Sequence, residues 1–195
     1  MRITGGLLRG RILEVPGGGL RPTQDKVRAA LFSMLGAGVV EARVLDLFAG
    51  SGAMGLEAWS RGAESVCWVE SDRRVFSVLQ KNVRELCADP GRPVRCVCSE
   101  VFSFLRRHEP PAPFMLVLAD PPYDREGQYR WLEKTLPALE SHSMLAPGGW
   151  LGFEQSAGEP VIERPGWSLL RDRTYGSTRL LLYRRESVTQ EEGSV

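Results

Sequence analysis

The sequence predicts an α/β fold: a mostly parallel sheet with helices on both faces and an antiparallel hairpin closing its end. Three observations lead there. From Val44 onward, short apolar runs alternate with amphipathic stretches, the pattern of strands joined by crossover helices. The first run passes directly into a glycine turn, Gly50-Ser51-Gly52, of the kind that joins a buried strand to a helix. The last two runs flank Tyr175-Gly176-Ser177, which reads as a hairpin turn. At 195 residues and 43% apolar content, one domain with a full core and a short appendage is expected.

The elements follow in order. Paired Gly5-Gly6 and the run Gly17-Gly18-Gly19 mark residues 1–20 as a short hairpin and flexible link. Thr23 can cap a helix whose Val27, Ala30, Leu31, Met34 and Leu35 recur at helical spacing, burying one stripe, with Lys26 and Arg28 off it. A strand from Val44, Val66–Glu70, Val94–Cys98 and Phe114–Ala119 read as four strands. Leu56–Ser60, Val75–Leu86, Phe102–Arg107 and Tyr129–Leu139 read as the helices between and after them. Gly148-Gly149 precedes a fifth strand ending near Glu154, and Trp167–Arg173 with Thr178–Tyr183 completes the sheet. Residues 1–36 form the basic appendage, 37–185 the main domain, and the polar stretch 186–195 reads as a disordered tail. There is no internal repeat.

Composition narrows the functional classes. No run of eighteen apolar residues exists and the start lacks the apolar core of a signal peptide, so a cytoplasmic protein is expected. Cys67, Cys87, Cys96 and Cys98 form no CxxC pair, and His108 and His142 stand alone, so neither a disulfide framework nor a metal site is expected. Cys96 and Cys98 alternate on one strand and read as core thiols. The net charge of +1 conceals an uneven distribution. Residues 1–36 carry Arg2, Arg9, Arg11, Arg21, Lys26 and Arg28 against Glu14 and Asp25; residues 164–185 carry six arginines against Asp172. Both ends can grip phosphates beside a central site, the alternative for any one arginine being an ordinary solvated side chain.

The chemistry is concentrated in Asp120-Pro121-Pro122-Tyr123, which the apolar run Phe114–Ala119 delivers to the carboxyl edge of the sheet, where open α/β folds bind ligands. Two prolines fix φ and remove two donors, leaving a stiff turn whose carbonyls only accept. The NH2 group of a nucleobase is a poor nucleophile because its lone pair is delocalised into the ring. The Asp120 carboxylate and the Pro121 carbonyl can each accept one N–H, favouring a pyramidal nitrogen able to attack a methyl group. Tyr123 offers a face on which an extruded base can stack. The competing reading is an Asp-Pro turn after a core strand.

The glycine loop decides between them. Val44–Gly55 places G-x-G-x-x-G between a strand and a helix start, whose free N–H groups suit a polar or anionic ligand group. Asp46, four residues before Gly50, can meet a cationic amino-acid group but would gain nothing from a pyrophosphate, so S-adenosylmethionine suits the loop better than NAD. Glu70 ends the second strand where doubly wound folds bind a ribose diol; a solvated strand-end acid is the alternative. Glu100 and Val101 occupy the equivalent place after the third strand, facing adenine, although Glu100 also reads as a helix-capping acid.

Together, Phe48-Ala49-Gly50-Ser51-Gly52, the acid ending the next strand, and Asp120-Pro121-Pro122-Tyr123 resemble a class I S-adenosylmethionine-dependent methyltransferase acting on an amino group. Arg2-Ile3-Thr4-Gly5-Gly6, Arg9-Gly10-Arg11, Leu20-Arg21-Pro22-Thr23 and Asp25-Lys26-Val27-Arg28 with Leu31-Phe32 resemble, in order, the opening of the bacterial 16S rRNA guanine-N2 methyltransferases of the RsmD type. The resemblance runs to about Arg184; Ala29, Ser33 and Glu100 depart from the family's usual Glu, Asn, and Asp or Asn. It implies a Rossmann-like, seven-stranded fold and methyl transfer from S-adenosylmethionine to a guanine N2 amine of 16S rRNA, free or in a small-subunit assembly intermediate, by a monomer without metal. The catalytic set is then Asp120, Pro121, Pro122 and Tyr123. The cofactor set is Asp46, Phe48, Ala49, Gly50, Gly52, Glu70, Ser71, Glu100, Val101 and Asp120. Arg11, Arg21, Thr23, Lys26 and Arg28 are the expected RNA contacts. Guanine N2, adenine N6 and cytosine N4 present the same amine to the tetrapeptide, so guanine rests on the resemblance. The alternatives are a DNA adenine-N6 methyltransferase and a non-catalytic RNA-binding module on the same fold.

Overall fold

The central strands carry apolar side chains on both phases of the pleat, so each must be covered on two faces. In the computed structural model, which describes residues 1–18, 22–124 and 127–187, they are. Helix α1 (Pro22–Leu35) leads through a 3-10 turn to β1 (Arg43–Leu47), α2 (Ala53–Ser60), β2 (Ser65–Glu70), α3 (Arg73–Leu86), β3 (Val94–Cys98) and α4 (Val101–Arg107). Next come β4 (Phe114–Ala119), α5 (Trp131–Ser141), β5 (Leu145–Ser156), β6 (Trp167–Tyr175) and β7 (Thr178–Arg185). The seven strands form one sheet in the order β3-β2-β1-β4-β5-β7-β6. Strands β1 to β5 pair in parallel, and β7 joins β5 and β6 antiparallel, closing the sheet with the expected hairpin.

Two cores result. Val44, Leu116 and Leu118 meet Val27 and Leu31 of α1, Leu56 of α2 and Leu79 of α3 on one face. Leu45, Val117 and Leu151 meet Phe104 and Leu105 of α4 and Leu132 and Leu136 of α5 on the other. The chain order reverses direction at β1 and β4, so their carboxyl ends flank the crevice where such folds take ligands.

Several expectations are corrected here. Helix α5 begins at Trp131 rather than Tyr129. The buried Asp124 carboxylate accepts from the backbone N–H groups of Gln128, Tyr129 and Arg130, holding those residues in a turn. Gly148 and Gly149 lie within β5, which begins at Leu145. Phe114 pairs with Leu145 but Leu116 with Trp150, so the extra residues form a bulge; Gly148 turns there with φ 75°, and a Cβ on Gly149 would stand 2.7 Å from Leu145 Cδ1. Cys98 is exposed, because β3 is an edge strand; Cys96 packs partly against the core. All four thiols are free.

The stripe of α1 buries Val27, Leu31 and Leu35 as its spacing predicts, yet Arg28 is buried with them at 3% exposure. Its guanidinium donates to Asp25 at 2.8 Å, to Glu57 at 3.4 Å and to the Arg2 carbonyl. The fully buried Glu57 also accepts from the Thr4 N–H, the Thr4 hydroxyl and Arg61, so this acid fastens the amino-terminal segment to α2. Residues 1–18 are joined by one antiparallel bridge, Arg2 to Ile12, and place Ile3 and Leu13 in the core. The side chain of Thr23, Arg21 as a whole and most of the proposed tail, residues 188–195, lie outside the described residues. Among the described residues no helix is long and apolar enough to cross a membrane.

Candidate active site

Strand β1 ends in a sharp turn that must expose backbone N–H groups while keeping Asp46 inside. Phe48 adopts φ 56° and Gly50 φ 56°, so two left-handed residues within three reverse the chain. Asp46, 1% exposed, accepts from the Gly55 N–H at 2.8 Å, answering one of the unpaired donors in the first turn of α2. Burial pushes the Asp46 carboxyl well above the usual carboxylate range; the Gly55 bond opposes this, and the nearby Asp120 and Glu70 reinforce it. A cation arriving at this carboxylate would favour its charged form.

The three motif glycines do different work. A Cβ on Gly50 would meet nothing within 4 Å, so this residue faces open space. A Cβ on Gly52, which caps α2 at φ 87°, would stand 2.5 Å from Leu79 Cδ1, and one on Gly55 would stand 2.2 Å from the Trp68 indole nitrogen. Gly52 and Gly55 thus let α2 pack on β2 and α3, and the Trp68 N–H donates to the Gly52 carbonyl at 3.3 Å.

Glu70, at the end of β2, accepts from the Gly50 N–H and the Asp72 N–H, each at 2.8 Å, with the neighbouring Ser71 hydroxyl at 3.5 Å. Glu100 caps α4, its two carboxylate oxygens accepting from the Phe102 and Ser103 N–H groups at 3.0 and 2.7 Å. That is the capping arrangement the sequence left open; Val101 beside it is buried as the first residue of α4.

The tetrapeptide emerges from β4 next to this loop. Ala119 pairs with Leu47 on one side and Phe153 on the other, so Asp120 projects between the ends of β1 and β5. The Trp131 N–H donates to the Pro122 carbonyl at 2.9 Å and so fixes the turn. Among the described residues no donor reaches the Asp120 carboxylate or the Pro121 carbonyl. Asp46, Phe48, Ala49, Gly50 and Asp120 line one cavity of about 380 Å³, with Met1, Val15 and Pro16 as its far wall. The structure thus gathers the loop and Asp120, while Glu70, Ser71, Glu100 and Val101 are not among the residues lining that cavity.

Similarity to known proteins spans all the elements that build this site. The model of the family described as Conserved hypothetical protein 95 matches residues 1–184. The ribosomal RNA small subunit methyltransferase D of Escherichia coli (strain K12) is 42% identical over 96% of this chain and 91% of its own length. Its Haemophilus influenzae namesake is 34% identical over 94% and 93%. The chain belongs to the ribosomal RNA small subunit methyltransferase D family. A solved Escherichia coli structure, described as a putative methyltransferase, superposes with a TM-score of 0.82 at 42% identity, covering 95% of this chain and 98% of that one. The fold is accordingly the Rossmann-like class I methyltransferase fold.

Within this family member, four contributors to the site escaped the sequence reading. Glu154, 7% exposed, leaves β5 beside Asp120 and lies 3.5 Å from the Tyr123 hydroxyl, which also bonds the Thr178 hydroxyl of β7. An acid at the carboxyl end of a buried strand was a usable signal, the same one that singled out Glu70. Burial raises the Asp120 carboxyl to about 6; burial and then the proximity of Asp120 raise Glu154 to about 8, against the Tyr123 bond and Arg28. The two carboxyls titrate as a pair, both held above the ordinary carboxylate range chiefly by burial. Asn82 of α3, 2% exposed, accepts from the Glu14 N–H and donates to the carbonyls of Glu14 and Ser51, tying the amino-terminal segment to the glycine loop. Trp131 had no sequence signal beyond its aromaticity.

The expected RNA contacts divide. Arg11 and Lys26 are exposed; Arg28 is withdrawn into the Glu57 network, so its expected phosphate contact is corrected. At the other end, Arg164 is paired with Glu140 and Arg179 with Asp172, leaving Arg171, Arg173 and Arg184 exposed.

Proposed function

We propose that the chain transfers the methyl group of S-adenosylmethionine to the exocyclic N2 amine of a guanine in 16S rRNA. The observation that carries the reading is a pair of unengaged acceptors, the Asp120 carboxylate, which lines the glycine-loop cavity, and the Pro121 carbonyl next to it in the chain. That cavity suits the cofactor. Its volume falls within the range of ligand sites, it has a buried carboxylate for an ammonium group, and Gly50 leaves its floor clear. Asp46, Phe48, Ala49 and Gly50 would hold the amino-acid end, Glu70 and Ser71 the ribose, and Val101 with Glu100 the adenine, while Gly52 shapes the loop from behind.

The cofactor supplies a methyl carbon already activated by its sulfonium sulfur. The protein's task is then to place the amine in line with it. Asp120 and the Pro121 carbonyl each accept one N–H of the target, leaving the nitrogen lone pair directed away from them. Tyr123, its hydroxyl anchored by Thr178, presents its ring to the extruded base. On accepting the methyl, whose bond to sulfur would break with its electron pair staying on sulfur, the nitrogen would become cationic, and the Asp120 carboxylate would stabilise that charge and could take the departing proton.

Arg11, Lys26 and Arg21 with Thr23 would grip RNA phosphates, supplying affinity without sequence information. The segment 1–36 is read as an appendage that shares the core of the 37–185 domain. Action as a monomer is part of this reading, and an rRNA or assembling small-subunit substrate would place the chain in the cytoplasm. The names of the relatives favour RNA over the DNA adenine alternative, and the free acceptors favour catalysis over mere binding. The test is transfer of labelled methyl to small-subunit rRNA followed by nucleoside analysis: N2-methylguanine is expected, and label on adenine would overturn the assignment.

A further inference from the structure

Beside the catalytic turn, three aromatic rings form a column. Tyr129 stacks on Trp131 with centroids 4.8 Å apart and an interplanar angle of 0°; Trp131 lies parallel to Phe102, 6.1 Å away at 7°. Phe48 of the glycine loop packs edge-on against Trp131 at 5.2 Å. The column ends in solvent, since Tyr129 is 52% exposed. An exposed ring over a half-buried stack is apolar surface that a flat partner can cover.

Its surroundings define what that is. The Asp124 carboxylate accepts the Tyr129 and Arg130 N–H groups at 2.7 Å and so sets the first ring, while the Trp131 N–H on the Pro122 carbonyl ties the second ring to the catalytic turn. A groove of roughly 980 Å³ between α4 and α5 runs past Phe102 with Arg106 and Lys134 on its walls. The groove's acids are engaged: Glu100 caps α4, Glu133 pairs with Arg130 and Glu140 with Arg164. Arg106 and Lys134 form no salt bridge with a described residue, and the Lys134 ammonium sits 6.0 Å from the Trp131 ring centroid.

We propose that the Tyr129–Trp131–Phe102 column is a stacking platform for an RNA base adjoining the target guanine, with the adjacent groove leading its phosphates past Lys134 and Arg106. This rests on the rRNA reading above. Extruding a target base unstacks its neighbours, and an aromatic face at the exit compensates the lost stacking regardless of base identity. The direct tether from Trp131 to Pro122 makes occupancy of the platform hold the catalytic turn in place.

The test uses the whole protein and a 16S rRNA fragment carrying 2-aminopurine next to the methylated guanine. Quenching of the probe is expected with the wild type and Tyr129→Phe, and its loss with Tyr129→Ala. Tyr129→Ala should weaken RNA binding about tenfold or more, in keeping with the stacking contribution of one base. Tyr129→Phe should stay within about twofold, and the affinity for S-adenosylhomocysteine should be unchanged in both. Lys134→Gln should flatten the salt dependence of RNA binding by roughly one phosphate contact. Wild-type RNA affinity and quenching in Tyr129→Ala would overturn the platform, as would an equal loss of S-adenosylhomocysteine binding, which would make the ring structural. Methyl transfer to a base other than guanine would instead overturn the proposed function, and the quenching would still report on the stack.

Discussion

Asp46 and Asp120 end neighbouring parallel strands, and both are pushed above the ordinary carboxylate range first by burial, but they are held differently. Asp46 is bound to the Gly55 N–H in the first turn of α2; Asp120 has no donor among the described residues. One acid is part of the fold that also faces a cavity, the other is maintained in an unfavourable environment for a ligand to satisfy. Leaving a polar group unpaired weakens a fold, so such groups are concentrated where function needs them. Conservative substitutions should therefore separate the two.

The largest effect is expected for Asp120. Asp120→Asn retains the shape but presents a weaker, neutral acceptor, and should cut single-turnover methyl transfer by about two to three orders of magnitude. Calorimetric binding of S-adenosylhomocysteine should change little. Equal losses in both quantities would erase the distinction between the two acids.

Asp46→Asn should do the reverse. The amide oxygen still accepts from Gly55, so the denaturation midpoint should hold or rise. Cofactor affinity should fall about ten- to a hundredfold, as when a hydrogen bond to a charged group is lost. A variant that unfolds yet binds normally once refolded would show that Asp46 serves the fold alone.

The smallest effect tests the partner of Asp120. A carboxyl whose folded value is raised, like that of Glu154, opposes stability as pH climbs from its ordinary value near 4.5 toward about 8. Glu154→Gln removes that opposition, so its stability over the wild type should grow between pH 5 and pH 8. Urea titrations at the two values measure it, and a constant difference would mean that Glu154 titrates normally.

How much of this was legible in the sequence follows from which interactions are local. The strands and the carboxyl-edge position of Asp120 were readable because two-sided burial leaves unbroken apolar runs, and the turn because glycine is favoured at the left-handed positions 50 and 52, although Phe48 shares that conformation unannounced. The role of each glycine was not. Whether a Cβ at residue 52 would meet a ligand or Leu79 depends on how α3 docks, which no local pattern encodes. Arg28 looked like a surface cation because helical spacing puts it off the stripe. Its burial is set by Glu57, twenty-nine residues away, and by the segment around Thr4 that covers both. The start of α5 was misplaced by two residues because the Asp124 carboxylate captures the backbone of 128–130, a contact that helix propensity does not register. Glu154 was missed although strand-end acids had been weighed elsewhere; its neighbour across the sheet, Asp120, becomes visible only with the β4–β5 register.

The central claim is that an ionised, otherwise unpartnered Asp120 receives the target amine. Its most direct test is the pH dependence of single-turnover methyl transfer to small-subunit rRNA at saturating cofactor and RNA, with the product identified as a nucleoside. Because burial raises the Asp120 carboxyl to about 6, the rate should climb roughly tenfold per pH unit below that value and level off above it. Asp120→Asn should abolish the step, and the product should be N2-methylguanine. A rate independent of pH between 5 and 7, or the same step persisting in Asp120→Asn, would contradict the account.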